Sequence, residues 1–206
     1  MHFLNRVEKM KFIIATNNKK KLREMGAILE KFGVEAVSLS EAGIESDVEE
    51  TGVTFEENSR LKAVAAMQVS GLPAIADDSG LEVDALGGEP GVYSARYGGD
   101  KCADDTERYL YLLDNMKNVP DGERSARFVS VITCVFPDGR ELSARGEIEG
   151  EILREAKGEG GFGYDPVFYV PAEGMTTAEM SQERKNEISH RAKSLKIMAE
   201  KLEKVL

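Results

Sequence analysis

The sequence predicts an α/β fold: a mixed β-sheet flanked by helices. Three observations predict it. Residues 11–39 alternate strand, helix and strand patterns. A second helix-then-strand unit follows over 54–76. Two longer strand-like runs in the second half are joined by Pro137-Asp138-Gly139, a hairpin turn signal. Parallel units followed by an antiparallel hairpin make a mixed sheet.

Taken in order, residues 11–15 form a short buried strand. Thr16-Asn17-Asn18 is a turn, and 19–32 carry helical spacing, with Leu22, Met25, Leu29 and Phe32 on one side. Gly33 is a helix stop, and 34–39 give a second strand. Residues 41–53 form an acidic loop containing Glu45, Asp47, Glu49 and Glu50. Thr54-Phe55-Glu56-Glu57 is a capping box that opens a helix running to about Val69. Gly71 and Pro73 break the chain before a short apolar strand, Ala74-Ile75-Ala76, expected to end in Asp77-Asp78-Ser79-Gly80. A glycine-rich structured loop over 87–99 and a helix over 104–116 come next. The hairpin arms span 127–136 and 140–148, with 151–155 extending the second arm or pairing elsewhere. A glycine-rich loop, 158–163, leads to a strand over 166–170. Ile188, Ala192, Leu195, Met198, Leu202 and Val205 give the spacing of a terminal helix.

A chain of 206 residues suits one domain, or one domain with two lobes around a cleft. Residues 1–10 form an N-terminal extension and 11–206 the single domain. Met10 is a second candidate start. A net charge of −10 argues against a nucleic-acid polymer as partner, because duplex binding needs a basic face. It leaves room for a nucleotide, which needs only a local cationic pocket. Cys102 and Cys134 show no metal or redox spacing and are expected as free thiols. No apolar run approaches the roughly 20 residues of a membrane span, and the first ten residues lack a signal-peptide core. No membrane association is expected, and the cytoplasm is the expected compartment.

Four segments carry chemistry. In the first, Thr16, Asn17, Asn18, Lys19, Lys20 and Lys21 place a polar turn and three lysines at a helix start. Free backbone N–H groups and the positive end of the dipole make such a start an anion site, while lysines there are unfavourable unless an anion neutralises them. The blander alternative is a solvated basic helix face. The second segment is acidic: Glu49-Glu50-Thr51-Gly52 in the loop, and Asp77-Asp78-Ser79-Gly80 at the end of the apolar strand, where α/β sheets bind ligands. Adjacent acids on an extended chain point to opposite sides. Carboxylates from two loops meeting at a cleft would make an oxygen site for Mg²⁺, and one left free could deprotonate water.

In the third segment, Gly160-Gly161-Phe162-Gly163-Tyr164-Asp165, glycines permit close backbone approach. Phe162 and Tyr164 could stack on a base, worth roughly 1–3 kcal/mol per base in single-strand binders. Asp165 could accept from a base or ribose, against the alternative of a structural turn with core aromatics. In the fourth, Ser189 caps the terminal helix and puts His190 and Arg191 in its first turn. With Lys185 they are donors suited to an anion or a carbonyl.

These segments together resemble the inosine triphosphate pyrophosphatase family, the XTP/dITP diphosphatases. The matching stretches are Thr16–Lys21, Glu49-Glu50-Thr51-Gly52, Ala76-Asp77-Asp78-Ser79-Gly80-Leu81, Pro90-Gly91-Val92-Tyr93-Ser94-Ala95-Arg96-Tyr97, 160–166 and Ile188-Ser189-His190-Arg191. They occur in the family's order over nearly the whole chain from Lys11. The resemblance implies an elongated mixed sheet flanked by helices, two lobes around a central substrate cleft, a homodimer, and Mg²⁺-dependent hydrolysis of ITP, dITP and XTP between the α- and β-phosphates. Carried over by motif, Thr16, Asn17, Asn18, Lys19, Lys20 and Lys21 bind the triphosphate. Glu50 and Asp78 hold the metal. Asp78 also accepts the proton of the attacking water, with Asp77 as a helper, and Ser79 contacts substrate. Phe162, Gly163, Tyr164, Asp165, Lys185, His190 and Arg191 form the base and sugar pocket. Lys62, one turn after Asn58, is a further candidate for phosphate. Three rivals are a pyrophosphatase for another modified base, a non-catalytic nucleotide sensor, and a structural or interaction protein, which would leave the polar motifs at strand ends unexplained. The sensor would not need Glu50, Asp77 and Asp78.

Overall fold

The computed structural model describes residues 10–45 and 48–206, the side chain of Lys20 excepted. Residues 1–9 of the expected extension, and Asp47 of the acidic loop, lie outside the described residues. Among the described residues seven strands make one sheet: β1 (Lys11–Ile14), β2 (Glu35–Ser38), β3 (Ala74–Val83), β4 (Ser125–Val135), β5 (Glu141–Ile152), β6 (Phe168–Val170) and β7 (Met175–Thr176). Their order is β2-β1-β3-β4-β5-β6-β7. β1 pairs in parallel with β2 and β3, and the pairings from β3 onward are antiparallel. The helices are α1 (Lys19–Lys31), α2 (Phe55–Ser70), α3 (Asp105–Asn115), α4 (Gln182–Ile188) and α5 (His190–Leu202). The mixed α/β reading holds. No helix among the described residues is long and apolar enough to cross a membrane.

Side-chain alternation explains the unbroken apolar run of β1. Phe12 and Ile14 enter a core with Met25 and Leu29 of α1 and Met198 and Leu202 of α5. Ile13 and Ala15 enter another core, with Ala63 and Ala66 of α2. A strand covered on both faces must be apolar on both. At the other end of the sheet Leu81, Val83, Leu112, Ile148 and Phe168 build a further core.

Local signals account for the joints. Gly33 and Gly71 take the left-handed conformation, φ +71° and +68°, where α1 and α2 stop. Thr54 Oγ1 accepts from the Glu57 amide at 3.1 Å. The Glu57 carboxylate returns to the amide of Val53 at 2.7 Å, one residue before the reciprocal bond of an ideal capping box. Gly139, with φ +89°, turns the hairpin between Phe136 and Arg140.

Three expectations are corrected. β3 does not end at Ala76; it runs ten residues, through Asp77, Asp78, Ser79 and Gly80, paired with β4 from Ala74↔Val135 to Val83↔Ala126. Carboxylates are poor strand formers, so the sequence pattern places a strand end where the strand continues. The strand expected over 166–170 begins only at Phe168, because Asp165–Val167 form a 3-10 turn with Pro166 early in it. α4 is a separate helix capped by Ser181, whose side chain accepts from the Arg184 amide at 3.2 Å. Its seven residues carry no apolar stripe for periodicity to detect.

α5 is seated closely on the sheet. A Cβ at Gly146 of β5 would lie 2.3 Å from the His190 carbonyl oxygen and 2.4 Å from the Ser194 amide. Both are backbone atoms, so no side chain can swing aside. Gly146→Ala is therefore expected to cost about 1–3 kcal/mol of stability, the usual range for overpacking. A lower urea midpoint with an unchanged slope is the expected result.

Candidate active site

β1 stops at Ile14, beside Ile75, while β3 continues to Val83. Past Ile75 the β1 side of β3 is a notch, and a polar chamber of about 330 Å³ opens there. Thr16, Asn17, Lys21, Glu50, Lys62, Asp77, Asp78, Ser79 and Arg96 are among its walls. This is the carboxyl end of a parallel strand, where α/β sheets bind ligands, but the strand is β1 and not β3.

The two aspartates are met from opposite faces, as alternation requires. α1 brings Lys21, whose Nζ lies 2.7 Å from Asp77 Oδ2. α2 brings Lys62, whose Nζ lies 3.0 Å from Asp78 Oδ1 and 2.9 Å from Glu50 Oε1. The Arg96 guanidinium is 3.4 Å from the other Glu50 oxygen. Burial pushes the Asp78 carboxyl up, and the Lys62 charge and hydrogen bond only partly offset it. Burial opposes the Glu50 charge too, but there Lys62 and Arg96 prevail and hold the carboxyl below its ordinary value. Burial also disfavours the Lys62 ammonium, yet Asp78 and Glu50 outweigh it and raise its pKa. Lys62 is a retained cation.

Glu50 is held in place indirectly. Asn58 is fully buried, and its Oδ1 accepts from the Gly52 amide at 2.8 Å. A Cβ at Gly52 would lie 2.6 Å from that same oxygen, so the loop can approach only as glycine.

A larger chamber of about 680 Å³ adjoins the first, and Lys21 and Ser79 wall both. Phe162 is exposed in its wall, with Lys185 Nζ 5.2 Å from the ring centroid. His190 stacks on Phe128 at 5.2 Å, and the Arg191 guanidinium lies 3.6 Å from a Glu24 oxygen. Ser189 caps α5 by accepting from the Ala192 amide at 3.2 Å, so His190 and Arg191 do occupy its first turn.

The structure thus gathers Thr16, Asn17, Lys21, Glu50, Asp77, Asp78 and Ser79 around one chamber and Phe162, Gly163, Tyr164, Asp165, Lys185, His190 and Arg191 around the next. Some candidates carry structural duties as well. Asn18 lines the larger chamber, and its Oδ1 accepts from the Lys21 amide at 3.2 Å. Lys19 is exposed and walls neither chamber, and the Lys20 side chain lies outside the described residues. Tyr164 is buried and donates to the Ser94 carbonyl at 2.8 Å; burial drives its hydroxyl pKa upward. The Asp165 carboxylate accepts from the Phe162 amide and the Thr177 hydroxyl, each at 2.8 Å, and pairs with Lys185. It fixes the glycine loop. The Gly163 amide is bound by Asp105 at 2.7 Å.

Sequence reasoning missed Arg96 as a partner of Glu50, Asn58 as the loop's anchor, and Glu24 beside Arg191. It gave Lys62 only a phosphate contact. The four-residue step from Asn58 to Lys62 on a capped helix was the available signal for α2. Glu24 carries no signal, because a lone acid on a helix is ordinary.

Whether the chamber suits a divalent cation can be tested on its oxygens. Asp77 Oδ1 and Asp78 Oδ2 are buried and accept no hydrogen bond among the described residues. No group of three histidine, cysteine or acidic side chains is poised for a metal among those residues. The open Asp77 and Asp78 oxygens suit a cation such as Mg²⁺, which is bound through one or two carboxylates plus substrate phosphates.

The fold and site define an α/β protein whose cleft joins an acid-and-lysine chamber to an aromatic one. A sequence model of the Ham1 family matches residues 12–201. The dITP/XTP pyrophosphatase of Desulforamulus reducens is 52% identical over 187 residues, 91% of this chain and 92% of that protein. A dITP/XTP pyrophosphatase of Thermus thermophilus is 51% identical over 191 residues, 93% of this chain and 91% of that one. The Staphylococcus aureus Ham1 protein superposes with a TM-score of 0.89 at 42% identity, covering 95% of this chain and 100% of that one. The chain belongs to the Ham1 family.

Asn58→Ala is expected to strand the Gly52 amide and release the Glu50 loop, at a cost of about 1–3 kcal/mol. Hydrogen exchange should show the Gly52 amide losing protection while the amides of β4 keep theirs.

Proposed function

We propose that the chain is a Mg²⁺-dependent dITP/XTP diphosphatase. It would cleave ITP, dITP and XTP between the α- and β-phosphates, giving the monophosphate and pyrophosphate and cleansing the nucleotide pool. The observation that carries this reading is that the two chambers lie side by side, with Lys21 and Ser79 in the walls of both. One is charged and suits a triphosphate; the other is aromatic and suits a base. The names of the curated relatives support the substrate class.

The residues divide the work between them. Thr16, Asn17 and Lys21, with the amides at the start of α1, meet the phosphates. Glu50 and Asp78 would hold Mg²⁺, which neutralises phosphate oxygens and charge developing in the transition state. Asp78 accepts the proton of the water that attacks the α-phosphorus. Asp77, held by Lys21, keeps that lysine aimed into the chamber. Phe162 stacks on the base. Lys185, His190 and Arg191 present donors to the C6 carbonyl of hypoxanthine or xanthine. Adenine carries an amino group there, and a buried donor facing a donor costs about 1–3 kcal/mol per contact.

In this reading residues 11–206 work as one domain with two lobes. The family resemblance extends the proposal to a homodimer in the cytoplasm.

The deciding experiment incubates the protein with ITP, XTP, dITP, GTP and ATP, with Mg²⁺ or EDTA, and separates the products. Inosine monophosphate plus pyrophosphate, lost with EDTA and much slower from ATP, is the expected result. Inosine diphosphate plus phosphate would refute the assigned bond, and tight ITP binding without turnover would favour the sensor. In the same assay Asp78→Asn should abolish turnover and leave the thermal melt cooperative. Arg191→Ala should lower activity on ITP by roughly 5- to 150-fold, the equivalent of one lost polar contact, and affect ATP far less. Equal proportional losses would remove Arg191 from base selection.

A further inference from the structure

Lys62 occupies an unusual position. Its ammonium lies between Glu50 Oε1 at 2.9 Å and Asp78 Oδ1 at 3.0 Å, the two carboxylates assigned to the metal. A cation bridging these two oxygens would meet the ammonium at the same place, and one seated on the open Asp78 Oδ2 would lie beside its charge. Among the described residues the chamber is also balanced. Lys21, Lys62 and Arg96 face Asp77, Asp78 and Glu50, three positive charges against three negative. A divalent ion entering alone would add two positive charges beside a largely buried ammonium. A triphosphate brings the negative charge that offsets both.

We propose that Lys62 is an internal stand-in for the divalent cation, keeping metal out of the Glu50–Asp78 site until a triphosphate draws its ammonium away. This rests on the metal site proposed above. Lys62 is well placed for the exchange. It projects from α2, whose backbone is fixed by the Thr54 cap and by buried Asn58 one turn earlier, so only the flexible four-carbon stem has to move. Its side chain is 18% exposed, and it walls the same chamber as Thr16, Asn17 and Lys21. The ammonium can therefore pass from carboxylates to phosphates without leaving the cleft. Metal and nucleotide then bind with positive coupling, and by linkage each tightens the other by the same factor.

The test is Mn²⁺ binding, read by electron paramagnetic resonance of the free ion. It is done with and without an ITP analogue whose α–β bridging oxygen is replaced by carbon. The parent protein should bind Mn²⁺ weakly alone and roughly 5- to 150-fold more tightly with the analogue, the usual span of site-to-site coupling. Lys62→Met should bind Mn²⁺ alone more tightly by a similar factor and gain little from the analogue. Adding Glu50→Gln to that variant should abolish the gain. Lys62→Gln serves as a second variant, and thermal melts establish that each is folded. If folded Lys62→Met and Lys62→Gln bind Mn²⁺ no more tightly than the parent, while the parent with analogue still binds it through Glu50, the stand-in is overturned and the metal site stands. If no protein binds Mn²⁺ under any condition, the metal site and the stand-in both fall.

Discussion

Two adjacent carboxylates in the middle of a buried strand are the constraint around which this molecule is arranged. Asp77 and Asp78 are nearly inaccessible, and isolated charges so placed would be very costly. Strand alternation sends one to each face of β3, so a single partner cannot serve both. The fold answers with one lysine from each layer, Lys21 from α1 and Lys62 from α2. The helices that cover the sheet are thereby also the elements that complete the chamber.

The rest of the site follows from where β1 ends. Because β1 stops beside Ile75, its turn and the start of α1 fall against the continuing part of β3. Close glycine contacts bring the other walls in. Gly80 has no room for a side chain: a Cβ there would lie 2.4 Å from Ser94 Oγ and 2.6 Å from the Gly91 carbonyl oxygen. Gly146 does the same for α5, placing His190 and Arg191 over β4 and β5. Buried Arg124 closes the far end, donating to the carbonyls of Met116, Val119, Ile152 and Leu153.

Elements with a strong period or a strong cap were legible in the sequence: β1, α1, the Thr54 cap of α2, the hairpin of β4 and β5, and the Ser189 cap of α5. Those whose character is set by partners elsewhere were not. β3 looks like a strand that ends in acids, because nothing local says that two lysines from separate helices will neutralise them. Asp165 looks like a ligand contact, but its carboxylate is engaged by Phe162, Thr177 and Lys185. The membership of the cleft was readable from residue type and order. The pairing within it was not, since pairing is a property of three-dimensional approach.

The notch beside β3 also bears on how the site tolerates change. Ile75 offers its carbonyl to the Ala15 amide, and the Leu81 amide donates to Ser94, so odd-numbered residues of β3 turn their backbone toward that side. By the two-residue repeat of a strand, the peptide groups of Asp77 and Ser79 face the cleft as well. Main-chain donors and acceptors are the same whatever side chain they carry. Any contact a ligand makes with these groups would be invisible to alanine scanning and insensitive to sequence drift. It would tie the site's character to the length of β1 relative to β3 as firmly as to any acid or lysine.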